Sequence, residues 1–303
     1  MRLAILFSGQ GNQQPEHLRR LRAEAPPALA AALATAIPSV WHDAEVTPAA
    51  LLANRVAQPL IFALQASLWQ QLRPGLPRPV CVAGYSLGEM AACCAADAFS
   101  VDDGLALCGA RAQLMDACVA GPAGLLAIVG LPAAAVTALA AECGLAVAIR
   151  NGPDHFVLGG PEADLAQAAS LAEGQGAARV VRLGVTTPSH TPWLAEASRA
   201  FAARLQPFSA GRLAFPVLSA IDGRPARHGA DATAALARQI STTLDWAACL
   251  DAVAEMQPDA VLEIGPGNAL ARMWSERETA VPARATDDFR SVEGILAWVQ
   301  ARA

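Results

Sequence analysis

The stretch "PVCVAGYSLGEMAACCAADAF", residues 79–99, constrains this chain more than any other. A short apolar strand at 80–83 meets a turn bounded by Gly84 and Gly88, and an alanine-rich helix follows at once. A strand that passes directly into a helix is the repeating unit of α/β folds with parallel sheets. The turn itself reads Gly-Tyr-Ser-Leu-Gly, the GxSxG pattern of a nucleophile elbow, in which two glycines leave room for a strained turn that lifts the serine out at the helix N-terminus. Ser86 is thus the candidate nucleophile. The plainer reading is a loop serine between two turn glycines.

The same rhythm surrounds the elbow. Leu3–Phe7 is too continuously apolar for an exposed strand and runs into a polar loop, "SGQGNQ", whose Gly9 and Gly11 permit a tight turn and close backbone approach. Helices are predicted over 28–36 and 58–72, and a further one is opened by Ser100 with Asp103 three residues on, a capping pattern. Between 121 and 185 the order changes to strand, helix, strand, strand, helix, strand, with the turn signal "NGPD" between the middle strands. That βαββαβ order is the signature of a ferredoxin-like unit. Strand–helix alternation then resumes through "FPVLSAIDG", helices near 230–240 and 245–256, and the strand "AVLEIGPG" with a helix after it. The expected fold is therefore α/β: a large parallel-sheet domain from 1–120 and 188–303, with a small ferredoxin-like domain inserted at 121–187.

Composition removes several function classes. A net charge of −5 offers no electrostatic footprint for nucleic acid. No apolar run approaches the length needed to span a bilayer, and the N-terminus lacks a signal-peptide layout. Seven cysteines form no CxxC pair, and most lie among alanines and leucines, where cysteine behaves as a small hydrophobe. An odd count without a leader favours a reducing, cytoplasmic setting. The five histidines are scattered without metal-ligand spacing, so no metal site is expected.

A serine hydroxyl needs a base to become a nucleophile. His190 is the best-placed histidine, because Pro188 and Pro192 bracket it in a rigid, non-helical segment; its ordinary pKa would put an acid limb near roughly pH 6–7. Arg111 is the oddity of its helix: it sits in an apolar stripe with Leu107, Leu114, Met115 and Cys118. An arginine there must snorkel out or meet an anion, and its fork suits a carboxylate. That carboxylate is either an internal acid or the end of an acyl substrate.

In order, "FSGQGNQ", "GYSLGE", "GARAQLM", "PSHTPW", "ARQI" and "EIGPG" resemble the malonyl-CoA:acyl-carrier-protein transacylases, over nearly the whole chain. The resemblance implies an α/β-hydrolase-like large domain and no bound cofactor. It also implies a serine that takes malonyl from malonyl-CoA and passes it to the phosphopantetheine-type arm of an acyl carrier protein. It assigns Ser86 as nucleophile, His190 as base and Arg111 as the clamp on the malonyl carboxylate. The Gln239 carbonyl would orient the imidazole, the Gln10 and Leu87 amides would form an oxyanion hole, and Gln58 would line the pocket. Two positions depart from the family pattern, with Tyr85 where histidine is usual and Ser8 where proline is usual. Tyr85 and the "SHTP" wording are similar to the epsilon subunit of malonate decarboxylase, which would make that enzyme's carrier subunit the acceptor. Two other classes stay open: a serine hydrolase, which would need an acid such as Asp97, Asp102, Asp103, Asp116 or Asp154 behind the histidine, and a non-catalytic assembly subunit.

Overall fold

The computed structural model describes residues 1–278 and 280–302. Its strands, in chain order, are β1 (Leu3–Phe7), β2 (Cys81–Gly84), β3 (Ala123–Val129), β4 (Ala146–Arg150), β5 (His155–Pro161), β6 (Arg179–Arg182), β7 (Arg212–Leu218), β8 (Pro225–His228), β9 (Leu244–Asp245), β10 (Ala260–Ile264) and β11 (Ala283–Ala285). They form a six-stranded sheet, β11-β10-β1-β2-β7-β8, and a five-stranded sheet, β6-β3-β5-β4-β9.

The unbroken apolar run of β1 follows from its central place between β10 and β2, both parallel to it. Its side chains alternate between two cores. Leu3, Ile5 and Phe7 enter one with the helix Asn54–Leu72, while Ala4 and Leu6 enter another with Trp246 and Trp274. A strand buried on both faces has no polar face to show.

The larger sheet departs from the expected all-parallel form at one edge, where β8 runs antiparallel to β7. The cause is local: Ser219 donates its amide to the Arg224 carbonyl across a tight turn, and so short a connection can only reverse the strand. In the smaller sheet β3 pairs antiparallel with both β5 and β6, and β5 pairs antiparallel with β4. This is the strand order of a ferredoxin-like unit, with the helices Ala133–Glu142 and Glu162–Gly174 packed on one core under it. The two-residue β9, from well beyond 187, adds a parallel edge to β4. Among the described residues no helix is long and apolar enough to cross a membrane.

Candidate active site

Ser86 lies between the end of β2 and the helix Gly88–Ala95, with a left-handed backbone (φ +54°). Few side chains adopt that conformation without compensation, and the compensation is visible in the flanking glycines. A Cβ on Gly84 would sit 2.1 Å from the Glu89 nitrogen, and one on Gly88 would sit 2.1 Å from the Phe7 carbonyl oxygen. The elbow therefore closes only because both positions lack a side chain. Ser86 stands at the positive end of the helix that follows.

His190 also has a left-handed backbone (φ +64°), and its amide donates to the Ile240 carbonyl at 2.9 Å. The ring bridges two segments remote in sequence: Nε2 is 2.7 Å from Ser86 Oγ, and Nδ1 is 2.5 Å from the Gln239 carbonyl oxygen. A carbonyl can only accept, so Nδ1 carries the proton and Nε2 turns its lone pair toward the hydroxyl. Burial, reinforced by the nearby Arg111 charge, pushes the His190 pKa down to about 3, against the upward pull of the Gln239 carbonyl. The imidazole is thus held neutral, as a base must be.

The partner behind the histidine is a carbonyl, where a hydrolase triad would have a carboxylate. Of the five acids considered for that role, three are engaged elsewhere, Asp97 with Arg73, Asp103 with Ser100, and Asp116 with Asn54 and Arg55, and neither Asp102 nor Asp154 is hydrogen-bonded to His190.

Arg111 is 1 % exposed, on the helix Val101–Ala117, whose start is capped by the Ser100 side chain accepting from the Asp103 amide. Its Nη1 donates to Gln58 Oε1 at 2.9 Å and its Nη2 to Gln239 Oε1 at 3.5 Å, while Nε has no partner. Among the described residues no carboxylate forms an ion pair with it. Desolvation pulls its pKa down to about 10, which leaves it a full cation at neutral pH. A buried cation held only by neutral amides is costly unless something anionic joins it.

Ser86, His190 and Arg111 share one cavity with Gln10, Gln58, Leu87 and Met115. Among the described residues the main-chain amides of Gln10 and Leu87 have no hydrogen-bond partner, whereas the Gln10 side chain is tied to the Leu52 carbonyl at 2.8 Å. A second cavity, open to solvent, joins the first along Gln10, Tyr85, Leu183 and Val185. In its wall Tyr85 donates to Asn151 Oδ1 at 3.0 Å, and Asn151 lies 3.3 Å from His155 Nε2. The seven positions singled out from sequence all meet at this place.

One buried polar residue there was not anticipated. Glu89, 1 % exposed, accepts from Gln239 Nε2 at 3.3 Å and from the Ala220 amide at 3.2 Å. The available signal was a glutamate three residues past the serine, in the first turn of a helix that is otherwise apolar.

The family described as acyl transferase domain matches residues 6–283. The polyketide biosynthesis protein ThaF of Burkholderia thailandensis is 33% identical over 221 residues, which cover 72% of this chain and 19% of that much longer protein. The malonyl CoA-acyl carrier protein transacylase of Mycobacterium tuberculosis is 33% identical over 235 residues, covering 76% of this chain and 77% of the relative. Among solved structures, a malonyl-transacylase in complex with its type II PKS acyl-carrier protein superposes with a TM-score of 0.87 at 25% identity, over 98% of this chain and 99% of the other. The match over residues 6–283, together with a fold shared with solved malonyl-transacylases, means that the chain belongs to the acyl transferase domain family and is an acyltransferase.

Proposed function

We propose that this enzyme moves malonyl from malonyl-CoA to the thiol of a carrier-protein arm, through a malonyl ester on Ser86. The observation that carries the reading is Arg111, a buried guanidinium without a carboxylate partner in the same cavity as the Ser86–His190 pair. A substrate that brings its own carboxylate completes that site, and one without it leaves a buried charge unanswered.

The steps follow from the geometry. His190 Nε2 takes the Ser86 proton as Oγ attacks the thioester carbonyl. The amides of Gln10 and Leu87 receive the oxyanion, and preorganised donors act most strongly where charge develops. Collapse expels the CoA thiolate, which takes the proton back from His190. The carrier thiol then repeats the sequence on the ester. Gln58 and Gln239 steady Arg111 from either side, and the second cavity gives the thioester arm its way in. In this reading residues 121–187 are a small domain that roofs the cleft.

Two acceptors satisfy the same chemistry. Tyr85 beside the nucleophile favours the carrier subunit of malonate decarboxylase, with its dephospho-CoA-type arm. The named relatives, and the structural neighbour bound to an acyl-carrier protein, favour a carrier of fatty-acid or polyketide synthesis. In either case soluble substrates and free cysteines suit the cytoplasm.

Intact mass measured after mixing with malonyl-CoA tests the core of the proposal. The expected result is a gain of one malonyl group that is lost on adding carrier. Release of free malonate without transfer would make the protein a hydrolase. Transfer rates from pre-acylated enzyme to each carrier at matched salt then decide the acceptor.

A further inference from the structure

The Gln239 side chain stands between two buried charges. Its Oε1 accepts from Arg111 Nη2 at 3.5 Å, and its Nε2 donates to Glu89 Oε2 at 3.3 Å and to the Ser86 carbonyl at 3.0 Å. One primary amide thus has a guanidinium at its acceptor end and a carboxyl at its donor end, which is the orientation both charges favour. Glu89 lies outside the cavity lining, behind the elbow, so it does not meet a substrate. Among the described residues it makes no direct ion pair.

We propose that Glu89 is the resident counter-charge of Arg111, acting through the Gln239 amide, and that it sets how strongly the site prefers acyl groups ending in a carboxylate. This rests on Arg111 being the anchor for that carboxylate. With the cavity empty and Glu89 ionised, the bridged carboxylate balances the guanidinium. When an acyl carboxylate binds Arg111 directly, two anions share one cation, and the arrangement is most favourable with Glu89 protonated. The proton comes from solvent, so binding of the acid and ionisation of Glu89 oppose each other.

The charged groups that bear on Glu89 come from several elements: Arg111 and Arg238 favour its charge and Asp222 opposes it, while the neighbouring thiols of Cys93 and Cys249 stay protonated where it titrates. Desolvation outweighs the rest and pushes its pKa up to about 8. Glu89 is therefore a positioning residue that is mostly neutral at pH 7 and ionised in mild alkali, whereas the malonyl carboxylate stays ionised throughout.

The test is the ratio of single-turnover acylation efficiency, malonyl-CoA over acetyl-CoA, measured from pH 6.5 to pH 9.5. Effects on the base or the nucleophile cancel in that ratio. In the wild type it should fall on the order of tenfold across the range, the size expected for two charges interacting across an amide inside a protein. In Glu89→Gln, which keeps the shape and an acceptor for Gln239 and Ala220, the ratio should stay flat. A constant wild-type ratio, or the same fall in the variant, would overturn the proposal. A strong preference for malonyl-CoA that ignores pH would overturn it while leaving the function intact. Absence of any malonyl ester at pH 7 would remove both.

Discussion

Deleting the Ser86 hydroxyl removes an atom that meets the cavity and His190 but contributes nothing to the core. Ser86→Ala should fold normally and lose acylation by about a thousandfold or more; a malonyl ester on the variant, detected by mass, would reassign the nucleophile. For His190 the structure shifts the expectation drawn from its ordinary pKa. Burial pushes the pKa to about 3, so the acid limb near pH 6–7 should be missing, with activity level between about pH 5 and 7. A half-maximal rate near pH 6.5 would mean that water reaches the ring. Arg111→Ala should cost malonyl-CoA about tenfold to a hundredfold in kcat/KM, the worth of a charge-assisted hydrogen bond, and should spare acetyl-CoA. Equal losses for the two thioesters would make Arg111 a packing residue.

At the scale of elements, the elbow depends on what its glycines leave out. A methyl on Gly88 would collide with the carbonyl of Phe7, the last residue of β1, and β1 leads into the loop that carries Gln10. Gly88→Ala should therefore destabilise by about 1–3 kcal/mol in chemical unfolding, as overpacking does, and should also slow acylation by misplacing the Gln10 amide. Unchanged stability would show that β1 can retreat. These features were legible because they are local: the GxSxG turn and the Ser100 cap each occupy one short window, and each element of the βαββαβ run carries its own periodicity. Contacts between distant segments were not. Gln239 meets Glu89 across 150 positions, and no periodicity announces that a glutamate beside the nucleophile turns inward to an amide so far away. The two-residue β9 is too short to carry a pattern, and it pairs only because β4 offers it an edge. The helices Pro15–Glu24 and Ala195–Leu205 went unmarked for a different reason: their buried faces are narrow, with Leu18 and Leu21 in one and Ala197, Phe201 and Leu205 in the other.

Across the whole molecule, the buried ionisable groups predict an unusual dependence of stability on pH. Glu263 is fully buried at the end of β10, where it accepts from the Ser8 hydroxyl at 2.7 Å and the Ala271 amide at 2.8 Å. Desolvation outweighs those bonds and pushes its pKa up to about 7, as burial pushes that of Glu89 up to about 8. In the unfolded chain both return to an ordinary value of 4.5. Between the two values the folded state holds protons that the unfolded state has released, so stability is complete below the unfolded pKa and declines as pH rises through 7 and 8. His190 acts in the opposite direction and in another window. Its folded pKa lies below its unfolded value of 6.5, so its contribution is lost only as pH falls from there toward 3. Above pH 9 the buried thiols of Cys93 and Cys249, also pushed up by burial, add to the alkaline loss. The maximum should therefore fall on the acid side of neutrality, with about 2–4 kcal/mol lost between pH 6 and 8.5 at about 1.4 kcal/mol per proton and pH unit. Urea unfolding at closely spaced pH values measures the slope directly. Glu263→Gln keeps the shape and removes its titration, so it should flatten the decline by about a third, since Glu89, with the higher pKa, carries the larger share over this range. A wild-type stability that rises from pH 6 to 8.5 would show that water solvates these carboxyls in the folded protein.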